Sequence, residues 1–563
     1  MEYIWKDPQK IDKEIINNFP ELHPIVVELL HKRGLNTQEE IDEFLNPDYS
    51  EDIHDPYLFS DMKKATDRIY QSIKKKELIT IFGDYDADGV SSAIILREVL
   101  LSLGAQVEVY LPHREKDGYG LSKKAVEEFK KNNTKVIITV DCGISSLQEI
   151  KEAQENKIDV IITDHHSIPE ELPIAHSIIH PKVDKQYPFK GLAGGGVAFK
   201  LAQGLLHSKK NKKVEKEQEK WLLDMVAIAT VADMMPLLGE NRTLLKYGLI
   251  VLQKTRRIGL QNLIKVCNLK EINTRSIGFS IAPRINAAGR MDHANLAYYL
   301  LKEENKEKAY QLALELNNSN TERQKITETM FRQALALKLN LDDKLLIFYN
   351  KEWLAGLTGL VASKLLRKYN RPCLVITENK ETKDLVGSGR SIKEFNVTEV
   401  LGEVEDTLLR FGGHPQACGF SLKEENLEEF KERIIKITNH KLKDINPQSE
   451  LDIELEINFT DINWQLVELV NKFKPFGKDN EEPLLLSKDI IITNLKKVGQ
   501  NEKHLKLELM KDNKKINCIG FSLAFKELKI GDQVNIVYNL SINEWNGNRQ
   551  IQLIIKDIKV NEL

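Results

Sequence analysis

Apolar and polar positions change rhythm several times along this 563-residue chain. Up to about residue 50 the spacing is helical, in PIVVELLHKRG and TQEEIDEFL, and Thr37 stands three residues before Glu40 as a capping box requires. The helical signal continues through DMKKATDRIYQSIKKK. From residue 78 the rhythm becomes that of buried strands: ELITIFGD, AQVEVYL, TKVIITVD and KIDVIITD are short apolar runs. Helical segments such as SSAIILREVLLSLG and SLQEIKEAQEN separate them. Strands alternating with helices predict a parallel sheet covered on both faces, with ligands gathering beyond the carboxyl ends of its strands.

Residues 295–340 carry a long helical pattern with few breakers, which predicts a connecting helix between two lobes. A second α/β unit starts near 344 with KLLIFYN and continues through RPCLVIT. HKLKDINPQSE, near 440–450, reads as a linker. After it, DIIITNLKKV, HLKLELM, KINCIGF, QVNIVYNLSIN and RQIQLIIKDIKV predict a small antiparallel β-barrel. No internal repeat occurs at a fixed period. The expected fold class is α/β, with a parallel-sheet domain joined by a long helix to a second α/β lobe, plus a C-terminal barrel. The expected organisation is a helical extension over 1–50, the parallel-sheet domain over 51–294, the connecting helix over 295–340, the second lobe over 341–445 and the barrel over 446–563.

Composition narrows the class without choosing a function. With 41% hydrophobic and 29% charged residues, the chain is an ordinary globular one. No run of about 18 apolar residues predicts a membrane span, and the polar N-terminus MEYIWKDPQKIDKEI lacks a signal peptide's apolar core, so a cytoplasmic protein is expected. Five widely spaced cysteines without a CxxC pattern read as reduced thiols. A net charge of −3 does not advertise a nucleic-acid binder, although a local basic groove can coexist with acidic ligands. The charge run Lys209–Lys220 reads as a solvated face.

The chemistry lies at the strand ends. Gly83-Asp84-Tyr85-Asp86-Ala87-Asp88-Gly89 places three aspartates at alternating positions between a strand and a helix. Carboxylates this close repel unless cations neutralise them, and oxygen-rich sets favour Mg²⁺ or Mn²⁺. An EF-hand calcium loop would need a bidentate Glu at its twelfth position, where this chain has Ile95. Asp141 closes VIITV, and Asp164-His165-His166 closes VIIT. Asp233, in IATVADMMPL, is an acid in an apolar segment that needs a partner, with Asp224 as a nearby competitor. Acids and imidazoles at one edge of one sheet suit two-metal hydrolysis of a phosphate ester or anhydride.

These residues resemble the DHH phosphoesterase superfamily, whose name Asp164-His165-His166 spells. The likeness covers nearly the whole chain: LLHKRGLNTQEEIDEFLNP, GDYDADGVSS, TVDCGIS, TDHH, GGGVAFKLAQ, ATVADMMPL, APRINAAGRM, GSGRS, FGGHPQACGF, KPFGKDNEEP and NEWNGNRQIQL. In this order they are similar to the superfamily's single-strand-specific DNA exonucleases. The resemblance implies that Asp86 and Asp141 hold one Mn²⁺ (or Mg²⁺), with Asp84 completing that site, and that Asp88, Asp141, His165 and Asp233 hold the second, Asp141 bridging. Many such chains have His two residues before the first aspartate, where Phe82 stands here. His166 is expected to face the scissile phosphate.

Arg284, Asn286 and Arg290 in APRINAAGRM are expected to bind substrate, since a planar guanidinium matches phosphate; the other reading of Arg284 is structural. The second lobe resembles a DHHA1 domain. Its Ser388, Arg390, Gly412, Gly413 and His414 combine small residues with donors, as a close approach to phosphate requires, although His414 also reads as a loop histidine. Cys418 stands where the family has alanine. The barrel resembles an OB fold, with Trp545 and Arg549 as a candidate stacking platform or Trp545 as a core residue.

The activity implied is 5′→3′ digestion of single-stranded DNA to 5′-mononucleotides in repair and recombination, with His166, Asp141 and Arg290 catalytic. A single-strand-binding protein and a helicase are candidate partners. Two other readings compete. One is a phosphodiesterase for short oligonucleotides or cyclic dinucleotides, whose relatives stop after two lobes. The other is a non-catalytic DNA-binding scaffold of a replication complex, which should have lost ligands that this chain retains.

Overall fold

The computed structural model describes residues 3–9, 11–114, 117–118, 120–291, 293–443, 445, 450–545 and 547–561, with Lys216 and Trp545 described by their backbone alone. The chain forms two compact units, one of residues 54–235 and 247–448, the other of residues 1–53, 236–246 and 449–563.

The first unit contains two sheets. In one, five parallel strands lie in the order Gln106–Tyr110, Leu78–Gly83, Thr134–Val140, Asp159–Thr163, Ser177–Ile179. Register is the key fact. Gly83 pairs with Val140, Val140 with Thr163, and Thr163 with Ile179. The next residue on each strand is Asp84, Asp141, Asp164 and His180, so four polar residues emerge side by side from apolar strands. The strands are held in place because Ile137, Val160 and Ile162 are wholly buried against the helices Lys123–Lys131 and Leu147–Glu155. Phe82 joins that core, with its ring near those of Tyr110 and Phe129, so the family's histidine position is here a packing residue.

The second sheet has the order Arg410–His414, Ala417–Leu422, Leu385–Arg390, Cys373–Glu378, Leu346–Tyr349. Its last pair is parallel and the others are antiparallel. The expected connecting helix over 295–340 is two helices, Asn295–Lys302 and Lys306–Leu335. Glu303 is extended, and the Asn305 side chain accepts from Lys308 N, which starts a new helix rather than continuing the old one. In the expected charge run, Lys210 pairs with Asp67 and Lys213 reaches the Leu103 carbonyl, and Lys216–Leu222 forms a 3₁₀ turn.

The other unit joins the N-terminal helices Lys13–Asn17, Pro24–His31 and Gln38–Leu45 to the barrel. Thr37 and Glu40 form the capping box. The extension also holds a strand, Ile4–Lys6, parallel to Glu450–Asp452. In the barrel, Leu485–Val498 pairs with both His504–Lys511 and Gln533–Trp545, and Asn548–Val560 links the latter to Lys514–Gly520, which closes the ring. One of these pairings is parallel, so the barrel is mixed rather than wholly antiparallel. Arg242 is buried inside this unit. Its guanidinium stacks 3.7 Å from the Phe44 ring and donates to the carbonyls of Phe44, Lys472, Phe473 and Lys474. All five cysteines are free thiols. Part of the linker at 440–450 lies outside the described residues; its first part is the end of the helix Leu427–Lys441.

Candidate active site

Backbone geometry at the strand and helix ends positions the site's acids. Asp84 leaves its strand, and Asp86 caps the helix Ala87–Ser102 by accepting from Asp88 N at 2.9 Å and Gly89 N at 3.1 Å. Gly89 must be glycine, because a Cβ there would lie 2.5 Å from the Asp84 carbonyl oxygen. Asp88 accepts from Gly194 N at 2.8 Å and Gly195 N at 2.6 Å, at the positive end of the helix Gly194–His207. Asp141 has φ +60°, uncommon for a residue with a side chain. Asp233 caps the carboxyl end of the helix Leu223–Ala232. Its competitor Asp224 lies elsewhere, on Thr255 Oγ1 at 2.7 Å and on the Arg257 guanidinium.

These elements bring together what sequence spacing only aligned. Ligand atoms of Asp84, Asp86 and Asp141 lie within 4.8 Å of one another, as do those of Asp88, His165 and Asp233, and those of Asp141, His165 and His166. His165 Nε2 is 3.1 Å from Asp141 Oδ1, 3.5 Å from Asp233 Oδ2 and 3.8 Å from Asp88 Oδ2.

Burial makes this arrangement costly without cations. It drives the Asp84 carboxyl up to about 8, helped by Asp86, and Asp233 up to about 7. Asp88 and Asp141 are pushed well above the carboxylate range by burial and by neighbouring acids. Burial, with the charge of His166, pushes His165 down to about 3, which leaves a neutral imidazole. Asp84 Oδ1, Asp141 Oδ1 and both His165 ring nitrogens are buried with no hydrogen-bond partner. Unpartnered acceptors and a neutral imidazole are the donor set that two divalent ions require, so the residues fit a pair of Mn²⁺ or Mg²⁺ ions.

Asp164 stands apart from these clusters. It accepts from the backbone of Ile144, His165 and His166 and from His166 Nδ1 at 2.8 Å. Burial lowers the His166 pKa, but the Asp164 hydrogen bond and charge, with Asp233 and Asp84, outweigh it and raise the ring to about 9. His166 is therefore oriented by Asp164, whose hydrogen bond and charge favour the protonated ring.

The substrate candidates divide. Asn286 Oδ1 accepts from Ala87 N at 2.7 Å, so it anchors the aspartate loop. Arg284 is held by Asn317 Oδ1 at 3.0 Å and the Ser280 carbonyl at 2.8 Å, which is the structural alternative. Arg290 donates to the Gly356 carbonyl at 3.3 Å, and burial, with the charges of Arg114 and Arg323, lowers it to about 9. Ser388 Oγ lies 2.9 Å from Thr358 Oγ1, and Arg390 is half-buried and lowered, first by burial. Gly412 has open space where a Cβ would project, and Gly413 has φ +144°. His414 is exposed and feels the charges of His166 and Lys182. Trp545 ends a barrel strand, and its side chain lies outside the described structure. In the same unit Arg549 lies 5.8 Å over the ring of Trp464.

Sequence reasoning missed four residues. Lys182 Nζ donates to the His165 carbonyl at 2.5 Å, and His180 Nε2 to the His166 carbonyl at 3.1 Å. Their signal was His-Pro-Lys just beyond a fifth apolar strand, SII. Arg114, 5.0 Å over the Tyr85 ring, and Arg323 both bear on Arg290. Only the fold gathers these guanidinia.

A parallel sheet ending in acids that cluster around a neutral imidazole, with Arg290 electrostatically linked both to Asp86 and to Arg114, Arg323 and Arg390, defines a phosphoesterase of the DHH class. Family profiles agree: residues 78–230 match the DHH family N-terminal domain, 342–440 the DHHA1 domain and 453–557 the RecJ OB domain. The chain is 39% identical over 566 residues to the single-stranded-DNA-specific exonuclease RecJ of Bacillus subtilis (strain 168), covering 98% of this chain and 70% of that one. It is 32% identical to RecJ of Escherichia coli (strain K12), over 96% of each. Its fold matches the crystal structure of RecJ in complex with Mn²⁺ from Thermus thermophilus with a TM-score of 0.85 and 26% identity, over 100% of this chain and 80% of that one. The chain belongs to the RecJ family. Among the described residues no helix is long and apolar enough to cross a membrane.

Proposed function

We propose that this protein removes 5′-mononucleotides from single-stranded DNA, from the 5′ end, by two-metal-ion phosphodiester hydrolysis. The observation that carries the reading is the meeting of two ligand triads, Asp84–Asp86–Asp141 and Asp88–His165–Asp233, at Asp141. In this reading Asp84, Asp86 and Asp141 would hold one ion and Asp88, His165 and Asp233 the other, with Asp141 as the candidate shared ligand between them. Divalent cations held there supply the charge that acidifies an attacking water and neutralises the phosphate.

The chain's own groups do the rest. His166, fixed by Asp164, which favours its protonated ring, faces the scissile phosphate and donates to it. Arg290, with Arg114 and Arg323 bearing on it, lies in a cluster of like charge whose natural counter-ion is a phosphate chain. Ser388, Arg390 and the Gly412–Gly413–His414 backbone take up neighbouring phosphates, and Arg284 and Asn286 act by holding the helix that carries Arg290. The barrel, with Trp545 or the Trp464–Arg549 pair as platform, adds a second hold on the strand. A phosphodiesterase for dinucleotides would have no use for that barrel, and a non-catalytic scaffold no use for a complete ligand set. A cytoplasmic role in repair and recombination, beside a single-strand-binding protein and a helicase, follows from the same reading.

The test is digestion of 5′- and 3′-labelled single strands with Mn²⁺, beside a blunt duplex. Release of labelled mononucleotide first from the 5′ end, with the duplex spared, is the expected result. Loss of the 3′ label first overturns the polarity. An uncut strand, or cleavage of dinucleotides alone, overturns the reading.

A further inference from the structure

Two large apolar side chains stand open to solvent, one directly after Asp233 and one on an element packed against the helix that Asp233 caps: Met234 is 70% exposed and Phe279 is 77% exposed. Each follows from local backbone. Phe279 sits in a single π-helical segment, Ile277–Ile281, directly before the helix Ala282–Met291, and such irregular turns concentrate at functional sites. Met234, with φ +54°, follows Asp233. The two elements abut, since a Cβ at Gly278 would lie 3.7 Å from Val231 Cγ1. Isolated exposed apolar residues need no explanation, but two such side chains on abutting elements next to a metal-ligand candidate are surface that water disfavours.

Spacing shows what this surface continues. Asn286 and Arg290, four residues apart, share one face of the helix Ala282–Met291, and Phe279 lies in the π-helical turn that leads directly into it. Asn286 on that face holds the aspartate loop, and Arg290 lies against Gly356 of the second lobe. Phe279 stands seven residues before Asn286, no more than about 10 Å along the run at ~1.5 Å per residue. An apolar platform in line with a phosphate-binding face suits a nucleotide strand, whose phosphates take the cations and whose bases need π-surface.

We propose that Phe279, flanked by Met234, stacks on an unpaired base of the strand whose phosphate occupies the acid and arginine cluster, and so positions that strand for hydrolysis. The proposal rests on the nuclease reading and adds a positioning surface to it. Base stacking of this kind is indifferent to base identity and unavailable to paired bases, so the platform also favours single strands.

The test uses the full chain with Mn²⁺, a 5′-phosphorylated oligo-dT strand, and a series of the same strand carrying one abasic residue at successive positions. The parent protein should show a raised KM for an abasic residue at one particular position. Phe279→Ala should raise KM on the intact strand roughly tenfold or more, with the loss on KM rather than kcat, and should erase the positional effect. Phe279→Trp should keep it. An intact-strand KM for Phe279→Ala within about twofold of the parent, or the same abasic profile in both, overturns the platform alone. A parent protein that leaves the intact strand uncut overturns the nuclease reading, and the platform with it.

Discussion

Gly194 and Asp141 fit together only because residue 194 has no side chain: a Cβ there would lie 2.5 Å from Asp141 Oδ1 and 2.6 Å from its Cβ. The close approach lets the Gly194 amide reach Asp88 while Asp141 stays between the two triads. Gly194→Ala is therefore expected to push Asp141 aside. A displacement near 1 Å at a reacting centre costs on the order of a hundredfold in rate. Single-turnover digestion with Mn²⁺, beside a calorimetric Mn²⁺ titration, measures both consequences. A variant with parental rate and Mn²⁺ affinity would show that Asp141 has room to spare.

Asp141→Ala is expected to abolish hydrolysis while DNA binding survives or improves, because it removes a candidate cation ligand and leaves the arginines that would meet the phosphates in place. Fluorescence anisotropy with a labelled single strand in EDTA separates binding from turnover. Residual hydrolysis above about one per cent of the parental rate would remove Asp141 from the bridging position.

Stability without metal should fall as pH rises. Asp84 and Asp233 have folded-state values near 8 and 7, raised chiefly by burial. Their unfolded values are near 4. Between these limits the folded state binds more protons than the unfolded one, so stability decreases with each step in pH. Chelated protein should melt at lower temperature at pH 8 than at pH 5.5, and Mn²⁺ should raise the melting temperature more at pH 8. A flat or rising melting temperature in EDTA over that range would contradict the buried, uncompensated acids.

Arg390→Ala should weaken single-strand binding most at low salt. One lost phosphate contact should reduce the slope of log K against log salt by about 0.7. A titration in KCl with the catalytically silent Asp141→Ala background reads this directly, and an unchanged slope would place Arg390 away from the strand.

Arg242→Ala should destabilise the barrel-containing unit, since the carbonyls of Phe44, Lys472 and Lys474 lose their donor, while that of Phe473 keeps Asn480 Nδ2. Each buried unsatisfied group costs about 1–3 kcal/mol, partly offset by release of a buried charge. A net loss of about 3 kcal/mol, seen as an earlier thermal transition, is the expected outcome; an unchanged transition would mean water replaces the guanidinium.

Much of the acid cluster was legible because strand endings are local events. An apolar run closing on an aspartate states both the strand and the position of the acid, which is why Asp84, Asp141 and Asp164 stood out. Asp233 was legible for another reason, as an acid with no excuse in an apolar helix. The arginines were harder. Arg114 and Arg323 carry no local pattern, and their meaning arises only when the fold brings them to Arg290. Arg284 and Asn286 share a motif with Arg290 yet turn to Ser280 and Ala87, a choice made by rotamer and packing that residue type does not encode. The break at Glu303–Asn305 was missed because a single asparagine cap outweighed a continuous helical rhythm.

The shared register of Gly83, Val140 and Thr163 carries an evolutionary corollary. Alternation in a strand has period two, so sliding any one of these strands by a single residue would send its terminal acid to the wrong height and its apolar set to the wrong face. The ladder thus fixes Asp84, Asp141 and Asp164 together, whereas Asp88 and Asp233 tolerate drift only so far as the helices Gly194–His207 and Leu223–Ala232 keep their places.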